Sequence, residues 1–211
     1  MLDAGPFSDW LRAMRAVLRD EQGAAVPCGD CVGCCVSSYP IPLRPGDLVA
    51  RQRVPEGFLL PVPGRSPENL LMGFREDGTC PFLDSRACTI YADRPQTCRD
   101  YDCRIFAATG LEPAGERPVI RERVRAWRFS YPGDADRAAQ SAVQRAARFI
   151  RDQCAGFPPQ LRAGQPTATA VLAIKCYEVF MAPERGSTSD LPPAAGIAAV
   201  LAAVRAFDRR G

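Results

Sequence analysis

The sequence predicts a mainly α protein with a small β meander, in which a cysteine-rich region is followed by a helical C-terminal part. Three observations predict it. Eight of the ten cysteines fall between positions 28 and 103. Short β-like runs separated by turn residues occupy 69–91. Beyond position 130 apolar residues recur at helical spacing. At 211 residues the chain is long enough for one sizeable core, so the expectation is a single domain over 1–211. Within it, 28–103 is the metal-binding cysteine region and 104–211 the helical scaffold.

Residues 7–22 read as an amphipathic helix, capped by Ser8 or Asp9. Phe7, Trp10, Leu11, Met14, Val17 and Leu18 form its apolar stripe, with Arg12, Arg15 and Arg19 on the other side. Gly23 and Pro27 end it. Residues 28–36 read as an irregular loop in which Gly29 and Gly33 allow tight folding around sulfur. Tyr39 to Val49 begins as a proline-rich extended lead-in, with a short helix from near Pro45. The Pro- and Gly-rich stretch 55–68 reads as a surface loop.

The meander is expected from Leu70–Phe74, Cys80–Leu83 and Cys88–Tyr91, divided by Glu76-Asp77-Gly78 and Asp84-Ser85-Arg86. It leads through Arg94-Pro95 into a helical turn carrying Cys98 and Cys103. Residues 119–129 alternate in a way that leaves strand and helix both open. Helices are expected at 134–154, 167–181 and 194–208, with loops at 156–166 and 183–193.

Composition bounds the chemistry. Net charge is +3, and 26 of the 27 basic residues are arginine, spread over the whole length with no dense run. Scattered arginines read as solvated faces and local ion pairs, which gives little support to nucleic-acid binding. No apolar stretch reaches membrane-spanning length. The first residues lack a basic and then apolar leader pattern, so the expected location is the cytoplasm. In a reducing compartment clustered cysteines read as metal ligands or redox groups rather than disulfides.

The chain contains no histidine. Histidine-based metal catalysis and Ser-His or Cys-His nucleophile pairs are therefore excluded. No phosphate-binding loop or dinucleotide fingerprint is present. Candidate metal ligands are Cys28, Cys31, Cys34, Cys35, Cys80, Cys88, Cys98 and Cys103. Thiolates two residues apart can reach one metal across a tight turn. Adjacent Cys34 and Cys35 tend to point apart, which suggests two metal sites, or one site with a spare thiol. All-thiolate zinc and an iron–sulfur cluster both suit such a set.

Arg44, Arg94, Arg99 and Arg104 lie beside the cysteines in sequence and are candidates to offset thiolate charge. Asp30, Asp100 and Asp102 are nearby acids that read as solvated loop residues. Tyr91 and Tyr101 are candidates to cover the site. Cys154 and Cys176 lie on expected helices outside the cluster and read as buried side chains.

The run Cys28-x2-Cys31-x2-Cys34-Cys35, then Gly78-Thr79-Cys80-Pro81-Phe82-Leu83, Cys88-Thr89-Ile90-Tyr91, Arg94-Pro95-x2-Cys98-Arg99 and Cys103, resembles the YkgJ-type cysteine-cluster family. That resemblance spans 28–103 and implies a zinc- or iron-chelating domain with all eight cysteines in place. The same domain occurs in flagellin lysine N-methylase, but nothing in 104–211 matches that enzyme. The leading functional expectation is a cytosolic metal-binding protein holding zinc or an iron–sulfur centre. The alternatives are a metal-dependent enzyme that modifies a protein or peptide, and a zinc-stapled module that contacts a protein partner through Arg-rich helical faces.

Overall fold

A computed structural model of the protein describes residues 1–19, 23–29, 31–64, 66–162, 165–181 and 192–209. Strand β1 (Leu2–Pro6) runs straight into helix α1 (Phe7–Val17). Strand β2 (Ile41–Leu43), helix α2 (Leu48–Arg53) and strands β3 (Leu59–Pro61), β4 (Leu70–Met72), β5 (Leu83–Asp84) and β6 (Ala87–Cys88) follow. Then come helices α3 (Gln96–Asp100), α4 (Arg104–Thr109) and α5 (Pro118–Ala126), strand β7 (Trp127–Ser130), and helices α6 (Asp134–Asp152), α7 (Pro166–Cys176) and α8 (Pro193–Asp208). The protein is thus mainly helical with small sheets. It forms two compact units. One comprises Met1–Gln22, Cys103–Gly115 and Val124–Gly211, and the other Gly23–Asp102 and Glu116–Arg123.

The first unit is a helical pack with one two-stranded sheet. Ala139, Ala142, Val143, Ala146, Ala147 and Ile150 recur three and four apart along α6, so one face of that helix is apolar and buried. The small alanines let neighbouring helices approach closely. Phe157, Ala173, Cys176, Phe180, Val200 and Val204 complete this core. Strand β1 pairs in parallel with β7, from Leu2 opposite Trp127 to Pro6 opposite Ser130. Phe7, Trp10 and Phe129 meet beside it, with ring centroids 5.1–5.6 Å apart.

Helix α1 has Pro6, not Ser8 or Asp9, at its N-cap position. Its orphan N–H at Ser8 is taken by the Asp136 carboxylate at 2.9 Å, a cap lent by α6. Of the three arginines expected on its polar side, Arg12 is exposed and pairs with Asp9. Arg15 is not. It lies over the rings of Tyr177 (5.1 Å) and Phe207 (4.8 Å) and donates to the Ile174 carbonyl. The long aliphatic stem allows a charged residue to be packed this way. The segment left open between strand and helix is both: α5, then β7 directly after it.

In the second unit β4 is the central strand of an antiparallel sheet of order β2-β4-β3. Ile41 faces Met72 and Leu43 faces Leu70 on one side; Leu59 faces Met72 and Pro61 faces Leu70 on the other. The expected meander is therefore split. Only Leu83–Asp84 and Ala87–Cys88 pair with each other as a local hairpin. The stretch around Leu70 instead recruits partners from segments that read as lead-in and loop. Pro42 and Pro61 disguised these strands, and both sit in edge strands where a missing N–H is tolerated. Leu43, Val54, Met72, Phe82 and Ile90 form the core beneath, with Cys80 and Cys88 packed against it.

Candidate metal centre

Seven of the cysteines line one cavity of about 640 Å³: Cys28, Cys31, Cys34, Cys35, Cys80, Cys88 and Cys98. They arrive on five local devices. Cys28 and Cys31 sit on a tight turn in which the Cys31 N–H donates to the Cys28 carbonyl at 3.0 Å and Gly33 N–H faces Cys31 Sγ at 3.4 Å. Gly29 adopts φ +57, in the left-handed region that glycine enters freely. Gly33–Val36 then form a 3₁₀ turn, locked where Ser37 Oγ donates to the Cys34 carbonyl at 2.8 Å.

The vicinal pair parts company here. Cys34 is exposed and Cys35 is half-buried. The Cys35 carbonyl accepts the Cys80 N–H at 2.7 Å, which joins the first cysteine cluster to the second through the backbone.

Cys80 is presented by the turn 77–79. The Asp77 carboxylate accepts both the Thr79 N–H (2.9 Å) and its hydroxyl (2.7 Å), so the carboxyl is held below its ordinary range. Gly78 has φ +82, and a Cβ added there would run into Ser38 Oγ, so only glycine suits the position. The Arg75 guanidinium closes the next turn by donating to the carbonyls of Pro81 (2.7 Å) and Leu83 (2.9 Å). Cys88 is in the hairpin, opposite Leu83. Cys98 rides on α3, whose first N–H, at Gln96, donates to Asp47 Oδ1 at 2.7 Å. The other Asp47 oxygen accepts the Arg44 N–H at 2.7 Å, so one carboxylate ties α3 to the segment after β2.

The electrostatics group the thiols further. Burial, and then the neighbouring Cys80, Cys88, Cys28 and Cys31, push the Cys35 thiol up to about 12. Burial, then Cys80, Cys35 and Cys88, push Cys98 up to about 12 as well. Cys80 is raised chiefly by burial. Cys28 is raised by burial and by Cys31, with the Arg123 guanidinium acting in the opposite direction. A buried cluster of like groups resists becoming thiolates together unless a cation compensates. Among the described residues, no group of three or more cysteine or acidic side chains stands in a ready-made metal-holding arrangement. The thiols share a cavity wall rather than a finished coordination shell, and none of the ten cysteines is in a disulfide.

Cys103 belongs to the helical unit, where it is buried and its Sγ accepts the Trp127 indole N–H at 3.2 Å. Of the arginines singled out by position, Arg94 lines the cavity and covers the Tyr91 ring at 3.7 Å. Arg99 donates to the carbonyls of Arg94 and Ala92, and Arg44 pairs with Asp100 at 2.7 Å. Arg104 is in the helical unit and donates to the Ala4 carbonyl. Asp102 is buried rather than solvated. Tyr91 and Tyr101 line the cavity, and Asp30 lies outside the described residues. Cys176 is fully buried, and burial pushes its thiol up to about 12, which suits an inert core side chain. Cys154 is half-buried, in a 3₁₀ turn just past α6.

Sequence reasoning missed Arg75, Arg117 and Arg123. Arg123 donates to the carbonyls of Cys28 and Pro27, and Arg117 to that of Ser37. Nothing in their local sequence distinguishes them from the other scattered arginines.

No helix among the described residues is long and apolar enough to cross a membrane. Residues 27–113 match the family model described as "CxxCxxCC: Putative zinc- or iron-chelating domain", about two fifths of the chain. No curated protein and no solved structure matches the chain.

Proposed function

We propose that this chain, whose residues 27–113 match the chelating domain, binds zinc or iron through the thiols of its shared cavity. The observation that carries the reading is the convergence of seven cysteines from five separate local structures on one cavity. Cys35, Cys80, Cys88 and Cys98 are the proposed four-thiolate group, since Cys80 and Cys88 raise the thiols of both Cys35 and Cys98, and Cys35 also raises that of Cys98. Cys28 and Cys31 flank it as a C-x2-C pair, and exposed Cys34 is the spare or exchangeable thiol. Cys103 as a ligand rests on the sequence pattern. Bound there, zinc would staple the loops, whereas an iron–sulfur cluster would add electron transfer. A reducing cytosol suits either, because it keeps the thiols available.

Protein purified without oxygen is expected to carry at least one metal ion per chain, and Cys98→Ser to lose most of it. Elemental analysis with a visible spectrum checks this. Brown protein with sulfide-to-iron bands means a cluster; colourless protein with zinc means a chelate. Metal-free wild type, or full retention in Cys98→Ser, overturns the reading.

The cavity favours one second reading. It is far larger than an ion requires, and Tyr39, Phe74 and Tyr91 are partly exposed along it. Room for an organic group beside the thiols suits an enzyme that modifies a peptide or protein. Such an enzyme should melt at a higher temperature with a cosubstrate such as S-adenosylmethionine, and no shift with either cosubstrate or peptide would leave chelation alone.

A further inference from the structure

The matched domain ends at residue 113, yet Glu116–Arg123 belong to the same compact unit as the cysteines. Four contacts explain why. The Arg123 guanidinium donates to the carbonyls of Cys28 and, at 3.3 Å, Pro27. Arg117 Nε donates to the Ser37 carbonyl at 3.0 Å. Tyr39 Oη and Glu116 Oε2 are 3.1 Å apart. Between these anchors Gly33 lies close against the helix: a Cβ added there would sit 3.3 Å from Ile120 Cγ1. Arg117, just ahead of α5, and Arg123 within it are six positions apart, about 9 Å along the axis. They therefore hold opposite ends of the Cys28–Cys35 loop with a rigid spacer between them.

We propose that residues 116–123 are a clamp on the cysteine loop, and that Arg123 is a positioning residue that sets how tightly the Cys28 end holds a metal. The proposal rests on the metal-binding reading. Free carbonyls at Pro27 and Cys28 would let that end swing, and the thiols would have to be re-ordered each time a metal enters. One guanidinium nitrogen, Arg123 Nη2, shared by two successive carbonyls removes that freedom before metal arrives. Groups one step removed from a metal's ligands commonly govern its affinity in this way.

The test is a competition titration of the full chain with zinc against a chromophoric chelator. Arg123→Gln should weaken zinc about 10- to 100-fold. Arg123→Lys should fall between, because its ammonium keeps a donor for these carbonyls but is more strongly hydrated and sits on a more flexible stem. Arg151→Gln, which alters only a surface pair with Asp152, should match wild type. The metal-free melting temperature of Arg123→Lys should stay close to wild type, which separates positioning from folding should Arg123→Gln fail to fold. Equal zinc affinity in wild type and the folded Arg123 variants overturns the clamp.

If wild type takes up no zinc, the clamp is judged on metal-free protein by iodoacetamide labelling, independently of the metal reading. Faster labelling of Cys28 relative to Cys98 in the Arg123 variants supports it; unchanged relative rates overturn it.

Discussion

Chelating the proposed metal from the intact protein should unfold the cysteine-bearing unit and leave the helical unit folded. The two differ in what else holds them. The helical unit has long helices around a continuous core of Ala142, Ala146, Ile150, Phe157, Ala173, Val200 and their neighbours. The cysteine unit has strands of two or three residues over a core of Leu43, Val54, Met72, Phe82 and Ile90. A core of that size seldom stabilises a fold by itself, and comparable domains depend on a metal or other cross-link. A structural zinc site contributes on the order of 10 kcal/mol. Hydrogen exchange read by mass spectrometry should therefore show residues 31–64 and 66–102 losing protection when chelator is added, with α6, α7 and α8 unchanged. Loss of protection spread evenly over the chain, or none anywhere, would contradict the assignment.

Phe157→Ala should destabilise the helical unit by about 3–5 kcal/mol, the range for emptying a buried phenylalanine site. Phe157 is 2% exposed and sits where the chain leaves α6 and enters the core. Its carbonyl is held by Arg162 Nε at 3.0 Å, so the backbone has little freedom to collapse into the space. Its core cluster includes the small residues Ala142, Ala146 and Ala147 of α6 and Ala173 of α7, which cannot expand to fill the space. Far-UV circular dichroism against denaturant, followed at the helical signal, measures the effect. A loss under about 1 kcal/mol would mean that the core relaxes into the cavity.

The helices from residue 134 onward were legible because their information is local. Ala142, Val143, Ala146 and Ile150 lie on one face at any 3.6-residue spacing, whatever they pack against. The sheets were not, because their information is distant. Strand β1 pairs with β7 across some 125 residues, and no run near Leu2 announces it. Pro42 and Pro61 argue against strands locally, and only the central position of Leu70–Met72 makes them edges. Arg15 read as solvated because a charge on the polar side of a helix usually is; two rings brought from Tyr177 and Phe207 decided otherwise.

At the candidate site the donor chemistry was readable from residue types. Eight clustered cysteines with no histidine leave thiolate as the dominant donor, and two-residue spacing needs only a tight turn. Tertiary structure decided which thiols share a cavity, how Cys34 and Cys35 divide between exposed and half-buried positions, and which arginines hold the loop. Covalent spacing fixes only what a turn can bring together. The contact between Cys35 and Cys80, and the reach of Arg123 to Cys28, close loops of about 45 and 95 residues. Contacts at such separation depend on how every intervening element packs.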